Sequence, residues 1–102
     1  MKTTSIPIAM DKIEAFCKKW GLKELSLFGS VLRDDFRPDS DVDVLVSFLP
    51  GNDMTFEGFV DMRDELSAIF GGRQIDLTQK QMLENPFRRY EILTTREVLY
   101  AA

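Results

Sequence analysis

Residues 27–48 read LFGSVLRDDFRPDSDVDVLVSF, and the change of period within this stretch decides the fold. At its far end, Asp41 to Leu49, Val42, Val44, Val46 and Phe48 fall on one face and Asp41, Asp43, Leu45 and Ser47 on the other. Successive strand side chains point to opposite sides, so the spacing predicts a strand with one apolar face. At its near end, Leu25 to Phe28 predict a short buried strand that Gly29-Ser30 cuts off. Between them Arg33 to Ser40, polar and interrupted by proline, predict a loop after at most a turn or two of helix.

Outward from this stretch the signals alternate. Ile8 to Trp20 place Met10, Ile13, Phe16, Cys17 and Trp20 at three- and four-residue spacings with lysines between, an amphipathic helix that Gly21 ends. Pro50-Gly51-Asn52-Asp53 breaks the chain. Thr55 then caps a helix carrying Phe56, Phe59, Val60, Leu66, Ile69 and Phe70 inward, closed by Gly71-Gly72. Arg73 to Thr78 predict a third strand, with Ile75 and Leu77 on one face and Asp76 on the other. Asn85-Pro86 pairs an N-capping side chain with proline at the first helical position. The last helix is expected to run through Phe87, Tyr90, Leu93, Thr94, Val98 and Leu99 toward the end. The expectation is a single α/β domain over residues 1–102, its helical crossovers implying a partly parallel sheet whose strand order is not legible.

Composition narrows the chemistry. The 102 residues suit one domain that buries somewhat over ~60% of its unfolded surface, and a second, acceptor-holding domain is not expected. A formal charge of −4 lacks the basic excess of nucleic-acid-binding chains, so direct nucleic-acid binding is disfavoured. With no histidine, imidazole general bases, Ser/His and Cys/His pairs and most zinc sites are excluded, and acid/base or metal work falls to carboxylates. Cys17 is the single cysteine, no secretory signal is expected, and no apolar run approaches the ~20 residues of a bilayer span. A cytoplasmic location without membrane insertion is expected.

The candidate site is the row Gly29-Ser30, ten residues, Asp41-Val42-Asp43, with Asp76 on the polar side of a later strand. Residues two apart on a strand point the same way and lie roughly 6.6 Å apart, so Asp41 and Asp43 can lean over one small volume. Their repulsion vanishes with a divalent cation between them, and hard oxygen ligands of this kind suit Mg²⁺. Two ions about 3.5–4 Å apart would stabilise both oxygens of a phosphoryl displacement, with Asp76 completing the set and helping to draw off the acceptor's proton. Gly29 admits a phosphate close to the backbone, where N–H groups and the Ser30 hydroxyl can donate to it, and a triphosphate can bridge that seat to the acids. Each part has a blander reading: a common turn, a solubilising acid pair, an exposed strand residue. Their order and shared strand face favour the functional one.

At these residues the chain resembles the nucleotidyltransferase superfamily of DNA polymerase β type, and within it the minimal, MntA-like MNT-domain antitoxins. Gly29, Ser30, Asp41 and Asp43 meet the pattern in full, Arg33 and Ser40 match its flanks, RQIDLTQK resembles the third-acid strand, and ENPFRRYEILTTREVLYAA resembles the closing segment. One departure is Asp34, where relatives often carry glycine. The resemblance implies an α/β (α+β) fold, a small mixed sheet flanked by helices. It implies Mg²⁺ on Asp41, Asp43 and Asp76, with these acids catalytic, and ATP phosphates on Gly29 and Ser30, with Arg33 also placed at the nucleotide. It implies a HEPN-domain ribonuclease toxin as partner, neutralised in a type VII pair by AMP transfer from ATP to a tyrosine.

Rival readings are an antitoxin that acts by binding alone, and a nucleotidyltransferase acting on RNA or a small molecule. Arg33 either reaches a phosphate or pairs with Asp34 or Asp39. Arg88, Arg89 and Arg96 are the densest basic cluster and read first as a solvated helix face, which is also a candidate docking surface. Trp20 and the phenylalanines read as packing, and Cys17 as an inert core residue.

Overall fold

A computed structural model describes residues 6–33, 37 and 40–102. The elements are α1 (Met10–Trp20), β1 (Leu22–Phe28), β2 (Val42–Phe48), α2 (Phe56–Ile69), β3 (Ile75–Gln79), α3 (Pro86–Thr95) and β4 (Glu97–Ala101), with 3-10 turns at Gly29–Leu32 and Lys80–Met82. The four strands form one sheet in the order β3-β2-β1-β4. β1 runs antiparallel to β2 and β4, and β2 runs parallel to β3 across the α2 crossover, so the sheet is mixed.

Local chemistry sets the boundaries. Gly21 ends α1 in the left-handed conformation, φ 68°, and the Asn52 amide donates to the carbonyls of Trp20 (2.7 Å) and Gly21 (3.1 Å), pinning the helix exit to the turn after β2. Thr55 caps α2 by accepting from the Gly58 N–H at 3.0 Å, and Asn85 caps α3 by accepting from Phe87 and Arg88. β1 begins at Leu22 rather than Leu25, because Leu22 is itself fully buried beneath α1.

The sheet carries apolar packing on both faces. Ile13, Phe16 and Cys17 of α1 and Met62 and Leu66 of α2 meet Leu25, Leu27, Val42, Val44, Val46 and Ile75 in the larger core. There burial pushes the Cys17 thiol up to about 12, which keeps it protonated and unreactive. On the other face Phe28 and Leu45 meet Leu83 and Ile92 in a smaller cluster under α3. β2 is therefore not one-sided: Leu45, expected on the polar face, is buried by α3. Among the described residues no helix is long and apolar enough to cross a membrane.

The expected last helix stops at Thr95, and Glu97–Ala101 form a strand instead. Arg96 leaves helical geometry at φ −62°, ψ 151°, and the chain pairs with β1 through Leu27↔Glu97, Ser26↔Val98 and Leu25↔Tyr100. Without β4, the buried residues of β1 would present a row of unpaired backbone groups. Two helix faces also differ from expectation. Phe56, 82% exposed, sits at the first position after the Thr55 cap, and Met62 takes the inward place. On α3, Phe87 and Tyr90 face solvent, whereas Arg89, Ile92 and Arg96, at three- and four-residue spacings, turn toward the body of the protein.

Candidate active site

The register of β2 assembles the site. Asp43 lies opposite Phe28 on β1 and opposite Asp76 on β3, so one carboxylate has the 29–32 turn on one side and a second carboxylate on the other. Gly29, next after Phe28, has φ 74°, and a Cβ there would overlap the Asp43 carboxylate. Only glycine meets both conditions. The Ser30 backbone N–H donates to the Asp43 carboxylate, and the Asp76 side chain shares a hydrogen bond with it. The Ser30 N–H expected to face a phosphate is thus already engaged, which locks the turn to the acid.

The electrostatics follow from this crowding. Asp43 is half-buried, and burial pushes its carboxyl above the ordinary range. The charges of Asp76 and Asp41 push in the same direction, and the Ser30 N–H only partly opposes them. Asp41 and Asp76 are exposed. Asp41 precedes β2, its backbone held from both sides: the Val42 N–H donates to the Gln74 carbonyl at 2.9 Å, and the Arg73 guanidinium donates to the carbonyls of Ser40 (3.4 Å) and Arg37 (3.2 Å). Ser40, matched in the motif, closes its own turn, with its N–H on Arg37 O at 3.0 Å and its hydroxyl accepting from the Arg37 N–H at 3.2 Å.

Hard oxygen donors crowded against their own charge are the chemistry that a divalent cation or a proton relieves. Among the described residues no three His, Cys, Asp or Glu side chains are already gathered to hold a metal ion. A carboxylate pair completed by substrate phosphates is the arrangement Mg²⁺ commonly takes, and Asp43 with Asp76 provides such a pair.

Of the residues singled out in the sequence, Gly29, Ser30, Asp43 and Asp76 come together, and Asp41 adds its charge from the strand entrance. Arg33 ends the 3-10 turn with its N–H on Ser30 O at 2.9 Å, and it lines a cleft toward α3 that none of the three acids lines. The possible partners Asp34 and Asp39, and with Asp34 the departure from the motif, lie outside the described residues.

The basic cluster is dispersed. The Arg89 guanidinium donates to the Lys80 and Leu83 carbonyls, and Arg96 bonds Glu24 at 2.8 Å, leaving Arg88 at the cleft. Glu24 was not singled out in the sequence. Burial pushes its carboxyl up, but hydrogen bonds from Arg96 and Ser26 and the Arg96 and Lys80 charges reverse this and hold it below the ordinary range. The alternation Glu24, Ser26, Phe28 within an apolar strand is the signal that marks its face.

A half-buried Asp43 paired with an exposed Asp76 beside a glycine-serine turn on a mixed sheet is an arrangement suited to phosphoryl transfer. The chain belongs to the nucleotidyltransferase domain family, which matches residues 10–99, and is a nucleotidyltransferase. It is 33% identical over 85 residues to the protein adenylyltransferase MntA of Thermococcus cleftensis, covering 81% of this chain and 78% of that one. A solved structure put forward as a minimal nucleotidyltransferase superposes with a TM-score of 0.70 at 27% identity, covering 86% of each chain. A toxin–antitoxin structure with AMP-PNP superposes at 0.72 over 93% of this chain and 75% of that one, at 16% identity.

Proposed function

We propose that this chain is a cytoplasmic antitoxin, a single domain over residues 1–102, that transfers AMP from ATP to a tyrosine hydroxyl of a HEPN-domain ribonuclease toxin. The observation that carries the reading is the Asp43–Asp76 register with Gly29 laid over Asp43, an acid site kept at an electrostatic cost. The adenylyltransferase name of the Thermococcus cleftensis relative supports the reaction, and the toxin–antitoxin structure with AMP-PNP supports the partner and the nucleotide.

In this mechanism Asp41, Asp43 and Asp76 would hold Mg²⁺, which would supply charge neutralisation at the phosphates. Gly29 admits the phosphates to the backbone, the Ser30 hydroxyl donates to them, and Arg33 adds positive charge from the turn's end. The tyrosine oxygen bonds to the α-phosphorus. The bond from that phosphorus to the bridging oxygen breaks, and diphosphate leaves with the electron pair. The tyrosine proton passes to Asp76 or through it to water.

A second reading, neutralisation by binding alone, draws on the acids not being gathered into a ready metal cage. Growth of cells expressing the toxin separates the two. Wild type is expected to restore growth and Asp43→Asn to fail while remaining folded; restoration by both would favour binding.

A further inference from the structure

Asp43 and Asp76 are fixed by the sheet itself, since they face each other in the ladder between β2 and β3. Asp41 has no such support: it is exposed and stands one residue before the first ladder pair, Val42↔Ile75. Its place therefore depends on what holds the backbone on either side of it. After it, the Val42 N–H donates to the Gln74 carbonyl at 2.9 Å. Before it, Arg73 Nη1 donates to the Ser40 carbonyl at 3.4 Å and to the Arg37 carbonyl at 3.2 Å. Two adjacent residues, Arg73 and Gln74, thus grip the chain on both sides of Asp41, and the same segment runs on into the strand that carries Asp76.

The grip is anchored at both ends. On its own side, the Ser67 hydroxyl of α2 donates to the Arg73 carbonyl, and the Gly72 N–H donates to the Ser67 carbonyl at 2.8 Å, which ties the segment to the helix. On the far side, Ser40 and Arg37 close one turn upon each other, so the guanidinium holds a formed turn rather than a loose strand end. Arg73 is half-buried, and its planar group presents donors in a fixed geometry that a rotating ammonium does not reproduce.

We propose that Arg73 is a positioning residue of the acid site, holding Asp41 against the Asp43 and Asp76 pair through the Ser40 and Arg37 carbonyls. The inference rests on the reading of these three acids as the residues that would hold Mg²⁺. Burial, Asp76, Ser30 and Asp41 set the state of the Asp43 carboxyl, and Arg73 is not among these causes, so it acts through the backbone rather than by its charge. Partners that orient a metal ligand without touching the metal commonly change its affinity by about tenfold or more when removed.

Mg²⁺ titration at a fixed AMP-PNP concentration, followed by melting temperature, tests this on wild type, Arg73→Met, Arg73→Lys and Asn52→Ala. The Mg²⁺ concentration giving half of the full rise is expected to increase about tenfold in Arg73→Met and about threefold in Arg73→Lys. Asn52→Ala removes the bonds to the Trp20 and Gly21 carbonyls beyond the other end of β2, so it should melt lower without Mg²⁺ yet keep the wild-type half-point. A wild-type half-point in Arg73→Met, or an equal shift in Asn52→Ala, would make Arg73 a general structural tie and overturn the proposal. If Arg73→Met does not fold, Arg73→Lys decides, and an unshifted half-point there overturns it. A wild type whose melting temperature ignores Mg²⁺ would overturn the metal reading and the proposal with it.

Discussion

Gly29 and Asp43 share one volume: the space that a side chain at Gly29 would fill is taken by the carboxylate of Asp43, and the backbone there is left-handed at φ 74°. Gly71 provides a natural comparison, with a similar φ of 72° and nothing within 4 Å of the place a Cβ would occupy. Gly71→Ala should cost only the left-handed penalty, about 1–2 kcal/mol. Gly29→Ala should cost about 3 kcal/mol and reduce transfer, because the acid must also move. Urea titration of the two variants measures the difference, and equal costs would mean that the contact is unimportant.

Asp43 is held above its ordinary carboxyl range, so folding disfavours its ionised form. Its contribution to stability is full below the unfolded value of about 3.9 and is lost as pH rises through the higher folded value. Asp43→Asn should therefore melt a few degrees above wild type near pH 7.5 in EDTA, with the advantage fading as pH falls toward 4. Transfer activity should be lost in the same variant. Added Mg²⁺ should raise the wild-type melting temperature more than that of Asp43→Asn.

Glu24 behaves in the opposite sense. Its carboxyl is held low, so its stabilising effect is present above about pH 4.3 and lost as pH falls through the folded value. The Glu24 and Arg96 side chains are 16% and 19% exposed, and removing one partner strands the other. Arg96→Ala should cost about 2–3 kcal/mol at pH 7 and flatten the acid limb of the stability curve. Glu24→Gln combined with Arg96→Met should recover much of the loss. Denaturation across pH 3–8 reads both.

The orientation of α3 predicts unequal costs for two apolar residues on one helix. Ile92, 5% exposed, should lose about 2–4 kcal/mol on truncation to alanine, and Phe87, 85% exposed, no more than about 0.5. A large loss at Phe87 would place that side chain in a core.

The strands β1 and β2 were legible because the alternation from Val42 to Phe48 and the Gly29-Ser30 break are local signals, whereas their antiparallel pairing was not. The mixed sheet and the proximity of Asp76 to Asp43 came through the family resemblance and the shared strand face. β4 was not legible. Leu93, Thr94 and Val98 continue a helical spacing, and only pairing with β1, a tertiary event, pulls Glu97–Ala101 into the sheet. The inward face of α3 was hidden for a related reason: Arg89 and Arg96 lie on it with their charged ends satisfied by carbonyls and Glu24, which disguises an inward face as a polar one.

The most direct test of nucleotidyl transfer to a protein acceptor is incubation of wild type, Asp41→Asn and Asp43→Asn with the cognate toxin, Mg²⁺ and ATP labelled at the α-phosphate. Label on a toxin tyrosine with wild type alone is the predicted result. An unlabelled toxin held in a stable complex with all three would contradict it.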